Sequence, residues 1–282
     1  MTPGIGFALG AMICFGLGDL VYKRAAALGI ESRQFIMLQA WALCPSVTLY
    51  AWATGTLVLS TAALWGSLAG LFSLVAFYNF ARSLQDGAVS TNAPIFRLNF
   101  TLTAALAIVL LGEAVTGAKL GALALALVAV WLLLAEPGAG QARPTLASMT
   151  RVLIATAALG FANFFYKIGL LEGVPPETML ATQAWAFCSM ATLFNWLREG
   201  RFIFTPGAWR YSTPAAVALA GGFLLLLHGL AIGPASILVP VAQLSFVFTA
   251  VAGALLFRER LNLRKRIGLL VAAAALGLFA IG

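Results

Sequence analysis

The sequence predicts an all-α integral membrane protein of ten transmembrane helices, built as two inverted five-helix repeats. Three observations carry that prediction. Hydrophobic residues make up 62% of the chain and charged residues 9%, with a mean hydropathy of +0.98, against about 45–50% and about 25% in a soluble domain. Apolar stretches of about 20 residues recur from end to end, each long enough to cross a hydrocarbon core of about 30 Å as a helix. The chain also matches itself: at an offset of 144, Gly16, Tyr22, Lys23, Gln39, Trp41 and Cys44 return as Gly160, Tyr166, Lys167, Gln183, Trp185 and Cys188. Further along the offset becomes 146, where Pro94, Leu98, Phe100, Thr103 and Glu113 return as Pro240, Leu244, Phe246, Thr249 and Glu259.

Apolar runs bounded by charged or Gly/Pro breaks place the spans in order. The first half holds 4–23, which ends in Asp19, Lys23 and Arg24; 34–53, with Gln39 and Trp41; 62–83, ending at Arg82; 88–111, closed by Gly112 and Glu113; and 117–135. The longest polar interruption, 136–150, carries Pro137, Gly138, Gly140 and Pro144 and reads as a linker between repeats at 1–135 and 151–282. The second half holds 151–171, 177–197, 211–231, 235–257 and 264–281. Five spans is an odd number, so the second repeat enters the membrane from the opposite side. Inverted repeats commonly build a midplane site at their interface.

The formal charge of +8 does not indicate nucleic acid, because the basic residues lie in short gaps and not in one patch interleaved with aromatics. Of the 17 Lys and Arg, all but Arg97, Lys119 and Lys167 fall around the gaps after the odd-numbered spans. Basic residues are retained in the cytoplasm, so both termini are expected to face outward from a cell inner membrane. The first apolar run begins at Gly4 without a basic n-region, which does not fit a cleaved signal peptide. Cys14, Cys44 and Cys188 lie inside apolar runs without Cys-x-x-Cys spacing or histidine neighbours, so neither a disulfide framework nor a metal site is expected. Gly6-x-x-x-Gly10 and Gly117-x-x-x-Gly121 read as close-packing motifs.

The duplicated plan, the run Ala235-Ser-Ile-Leu-Val-Pro240, and the span ends Leu111-Gly-Glu113 and Phe257-Arg-Glu259 resemble the drug/metabolite transporter superfamily, in particular its EamA-type ten-helix members. The resemblance covers essentially the whole chain. It implies transport of a small-molecule substrate through the lipid bilayer. It also implies cytoplasmic termini, which the charge count does not.

Ionisable groups inside a bilayer cost about 2.5–3.5 kcal/mol each on insertion scales and therefore need a partner, a watery cavity or a function. Arg97 is the clearest case, and its planar fork suits a carboxylate or phosphate. Asp19 is the second, placed either to pair with Lys23 one turn on or to meet a proton or a cationic substrate group. Their repeat counterparts are the uncharged Gln243 and Asn163. Asn92, Phe96, Asn99 and Thr103 form one stripe, and Arg97 lies on another side of the same span, which puts that span at the bundle centre. Gln39, Gln183 and Gln243 are candidate cavity amides, and Trp41, Trp185, Tyr22 and Tyr166 candidate substrate contacts. Lys23, Lys167 and His228, the single histidine, are candidates for gating or coupling.

A Gly-x-Ser-x-Gly nucleophile with a histidine partner is missing from the sequence, and so is a metal-ligand cluster, which argues against an enzyme. The expectation is a secondary transporter, an exporter or exchanger, of a small polar organic metabolite such as an amino-acid-like zwitterion, working by alternating access without a cofactor, as a monomer or homodimer. A translocator of a phosphorylated or amphiphilic lipid-like molecule is the alternative.

Overall fold

The structure is a computed structural model, and it describes residues 2–85, 92, 95–134, 145–200, 202, 204–256 and 263–281. Its helices are α1 Ile5–Ala27, α2 Ser32–Ala53, α3 Leu64–Gln85, α4 Asn99–Leu111, α5 Gly117–Leu134, α6 Leu146–Leu171, α7 Pro176–Glu199, α8 Pro206–Ile232, α9 Ala235–Gln243, α10 Ser245–Leu256 and α11 Leu263–Ile281. A single 3-10 turn, Thr61–Ala63, leads into α3. Helices satisfy every backbone group internally, which hydrocarbon demands.

Five described spans are long and apolar enough to cross a membrane: Ile5–Tyr22, Arg33–Ala53, Thr61–Phe80, Leu146–Leu171 and Pro206–Ile232. Ile95–Leu111, Gly117–Leu132 and Ala235–Phe248 are shorter apolar helices.

Several boundaries differ from the sequence reading, each for a local reason. The sixth span begins at Leu146 rather than 151, because Thr145 caps it by accepting the Ser148 N–H at 3.1 Å. The eighth begins five residues early, since Pro206 occupies a first-turn position that needs no N–H partner. The ninth span is two helices, broken at Leu244.

Contacts between helices close into a ring. In order, α1 packs on α8, α8 on α2, α2 on α7, α7 on α3, α3 on α6, α6 on α4, α4 on α9, and α9 back on α1. Outside the ring, α5 and α11 pack on one another and lean on α9; Arg264 donates to Trp131 O at 2.7 Å and lies over its ring.

Exchanging repeat counterparts maps the largest contacts on one another, while the smaller α6–α8 and α7–α8 contacts have no counterpart of like size among the described helices of the first half. The α1–α8 contact becomes α6–α3, α2–α8 becomes α7–α3 and α1–α10 becomes α6–α4, while α2–α7 and α5–α11 map onto themselves. Between residues 5 and 134, no two described helices pack extensively on each other. Most of the core therefore lies between the two parts of the chain.

Of the expected glycines, Gly10 and Gly121 pack against side chains, a Cβ coming 3.0 Å from Leu225 Cδ1 and 3.5 Å from Leu278 Cδ1, while the closest backbone approaches come from other glycines. A Cβ at Gly6 or Gly117 would meet nothing within 4 Å. At Gly16 it would come within 3.0 Å of Ser245 O, and at its counterpart Gly160 within 3.1 Å of Asn99 O. Ser245 and Asn99 are themselves 146 residues apart, so one backbone approach is made twice. It seats α10 on α1 and α4 on α6.

Candidate functional site

Both of these seats adjoin a break in a helix. At Leu98 and Leu244 the backbone turns to φ −67°, ψ −3° and φ −73°, ψ 13°, away from the α-helical ψ of about −42°. Leu98 N donates to Ile95 O at 3.0 Å, and Leu244 N reaches both Pro240 O and Val241 O. Leu98 and Leu244 are counterparts in the repeat. Pro240 has no N–H for the helix ladder, which removes a bond to Ser236 O one turn before it and leaves the break at Leu244 to packing; Pro94 lies outside the described residues.

The side chains next to the breaks meet. Arg97 donates from Nη2 to Asp19 Oδ2 at 2.7 Å and from Nη1 to Gln243 Oε1 at 3.3 Å. Ser245 Oγ donates to the same Asp19 oxygen at 3.3 Å. The Arg97 and Asp19 side chains are 19% and 33% exposed. The pair is thus mostly withdrawn from solvent yet still reachable. Its attraction is offset by the cost of desolvating both charges, and the Gln243 and Ser245 dipoles reduce that cost.

Opposite this charged corner is a neutral one. Asn163, the counterpart of Asp19, donates to Asn99 Oδ1 at 3.3 Å, and Asn99 is the counterpart of Ser245. Asn99 Nδ2 is held by Phe96 O, and Thr103 Oγ1 bonds Gly160 O at 3.1 Å. Asn92 donates to Ser83 O and Ser148 Oγ. The stripe of Asn92, Phe96, Asn99 and Thr103 is buried along its length.

The remaining candidates divide. Tyr22 donates to Gln39 Oε1, linking α1 to α2. Tyr166 and Gln183 are buried, and neither Tyr166 Oη nor Gln183 Oε1 has a hydrogen-bond partner. Trp41 and Trp185 lie apart from Asp19 and Arg97, in a groove of about 1010 Å³ between α2 and α7. There Trp41 Nε1 donates to Thr192 Oγ1 at 2.9 Å and Trp185 Nε1 to Thr48 Oγ1 at 2.8 Å, a reciprocal pair.

Lys167 donates to Leu230 O at 2.7 Å and Gly233 O at 2.8 Å, placing its charge on the carbonyl end of α8, where the helix dipole favours a cation. That position is a helix cap. The Lys23 side chain lies outside the described residues. His228 Nδ1 donates to Leu224 O at 2.8 Å, and its Nε2 stands 3.2 Å from Glu177 Oε1.

Two carboxylates emerge that the sequence reading gave no such role. Glu113 accepts the Ala235 and Ser236 N–H groups at 2.7 and 2.9 Å, capping α9, and Glu177 anchors His228. Their signal was available: each is an acidic residue at the edge of an apolar run. Glu259, the counterpart of Glu113, lies outside the described residues.

The fold is similar to a solved protein crystal structure with a TM-score of 0.82 at 13% sequence identity, covering 99% of this chain and 96% of that one. Among curated proteins no match is found. The model of the EamA-like transporter family matches twice, over residues 2–135 and 147–281. With its apolar helices and duplicated architecture, the chain belongs to the EamA-like transporter family and is a multi-pass membrane protein.

Proposed function

We propose that this protein is a secondary transporter of a small, amino-acid-like organic metabolite, with Asp19 and Arg97 receiving the charged end of the substrate. The single observation that carries this reading is the Arg97–Asp19 contact of 2.7 Å at the meeting of the two helix breaks. A zwitterion has one carboxylate and one ammonium. It can therefore replace the pair's internal bond with two external ones, Arg97 to the carboxylate and Asp19 to the ammonium, so that no charge is left alone in low dielectric. Gln243 bonds Arg97 and Ser245 bonds Asp19, Asn99 lies two residues from Arg97 in sequence, and these three would orient the rest.

The wider reading is ten spans in two inverted repeats, at 1–135 and 151–282, exchanging conformations by alternating access around this pair. The largest helix contacts, which map on one another when the repeats are swapped, support it. Both termini face outward in an inner membrane on this reading, as the distribution of Lys and Arg suggests.

The test is a thermal-shift screen of the purified protein against amino acids, amines, organic acids and phosphorylated metabolites, repeated on Arg97→Gln and Asp19→Asn. A zwitterion is expected to stabilise the wild type and neither variant. Equal stabilisation of all three proteins by one ligand would remove Asp19 and Arg97 from the site. Response to a phospholipid headgroup alone would favour a lipid translocator.

A further inference from the structure

Among the described residues four buried side-chain oxygens make no hydrogen bond; Asn92 Oδ1 belongs to an amide already held through its Nδ2, and the other three are Ser73 Oγ, Tyr166 Oη and Gln183 Oε1. Their residues are 0%, 0% and 3% exposed. Buried polar groups are nearly always paired, so each orphan asks for an occupant.

The three come from α3, α6 and α7, and α3 packs extensively on both of the others. Gly70, one turn before Ser73, lies so close to α7 that a Cβ there would fall 2.4 Å from Gln183 O. Ser73 stands beside the Tyr166 hydroxyl, close enough to act on it, although the two do not meet in hydrogen-bond geometry.

The repeat sharpens the point. Tyr166 and Gln183 are the counterparts of Tyr22 and Gln39, which bond to each other. The same pair is closed in one half and open in the other. At the offset of 146, moreover, the counterpart of Ser73 is Leu219, so the open half carries a hydroxyl that the closed half lacks.

A polar track leads there from the ion pair. Arg97 is two residues from Asn99, Asn99 meets Asn163 at 3.3 Å, and Tyr166 lies three residues beyond Asn163, about 4.5 Å along the helix axis.

We propose that Ser73, Tyr166 and Gln183 form a subsite for one uncharged hydroxyl or amide group of the transported molecule, occupied by water when that molecule is absent. This rests on the reading of Asp19 and Arg97 as the charged end of the same site. Donors and acceptors match. Gln183 Oε1 accepts one hydrogen from the incoming group, while the Tyr166 and Ser73 hydroxyls donate to its oxygen. A carboxylate has no hydrogen to offer Gln183 Oε1, and an ammonium would be buried with no opposite charge among these three residues.

The test uses the purified full chain and two measurements. In melting without ligand, an occupied site makes Tyr166→Phe and Gln183→Met lower the Tm by about 2–4 °C, because a bridging group loses a partner. Empty orphans make the same changes raise it, which overturns the proposal. In binding, serine is compared with alanine and asparagine with 2-aminobutyrate. The hydroxyl or amide member is expected to bind wild type roughly tenfold tighter or more. That preference should vanish in Tyr166→Phe and Ser73→Ala and persist in Trp41→Phe, which alters only the outer groove. Equal binding of both members, or a preference that survives Tyr166→Phe, overturns the substrate's part and leaves a water site. Binding that Asp19→Asn and Arg97→Gln do not weaken overturns the ion-pair reading and not this one. Failure of all four compounds to bind wild type overturns both.

Discussion

Arg97 and Gln243 occupy the same position in the two repeats, 146 residues apart, and they touch, Nη1 to Oε1 at 3.3 Å. Two equivalent residues can meet only near the axis that relates their repeats. One of them is charged and the other is not. The charge of Asp19 against the neutrality of Asn163 follows the same division, so the pseudosymmetric centre has one charged and one neutral corner.

Removing either member of the ion pair should therefore cost more than removing both. Breaking a fully buried pair costs about 3–5 kcal/mol; with the side chains 19% and 33% exposed, about 1–3 kcal/mol is expected for Arg97→Gln or Asp19→Asn. The double variant should be no less stable than the worse single one. A double-mutant cycle read by thermal melting checks this, and strictly additive losses would show that the two residues do not interact.

The duplicated glycine seats should tolerate no side chain. Gly16→Ala puts a Cβ only 2.5 Å from Phe248 Cδ1, and Gly160→Ala puts one 2.9 Å from Leu102 Cδ2. Each is expected to lose about 1–3 kcal/mol by overpacking. Gly6→Ala, with nothing within 4 Å, should be neutral or gain up to about 1 kcal/mol from helix propensity. Melting of the three variants side by side decides it, and the reverse order would contradict the packing described here.

Lys167→Met should act on stability and not on selectivity. It strands Leu230 O and Gly233 O at the end of α8, a loss of about 1–3 kcal/mol. A ligand profile that changes rank order in this variant would place Lys167 on the substrate path.

Orientation can be read in intact cells from single cysteines placed at each terminus of a variant lacking Cys14, Cys44 and Cys188. Both are expected to react with a membrane-impermeant maleimide. Protection of both would reverse the topology and leave the ring of helices unchanged.

What the sequence revealed and what it concealed have physical causes. The repeat could be read because paired Gln-Ala-Trp-Ala and Tyr-Lys are rare in so apolar a chain. Asp19 and Arg97 stood out because charge in hydrocarbon is expensive. The breaks did not stand out: Leu98 and Leu244 are good helix formers, and only packing against α1 and α6 explains a turn there. The sequence did not show that the tryptophans lie apart from Asp19 and Arg97, because Gln39 and Trp41 are neighbours along the chain. Two residues along a helix is a rotation of about 200°, which sends the amide toward α1 and the indole into the outer groove. Lys167 resembled a functional charge because the carbonyls it caps belong to another helix, more than 60 residues away.

The interlaced ring also constrains how the chain is made. The described helices before residue 135 find few of their neighbours among themselves, so they enter the bilayer with their packing faces turned to lipid and must wait for residues 146–281 to be synthesised. Until then the first half is a set of loosely associated helices, and assembly is in effect the docking of two partners that share one polypeptide. Cut at residues 136–144 and expressed together, the two pieces should still find each other; expressed alone, the first is expected to stay a set of separate helices.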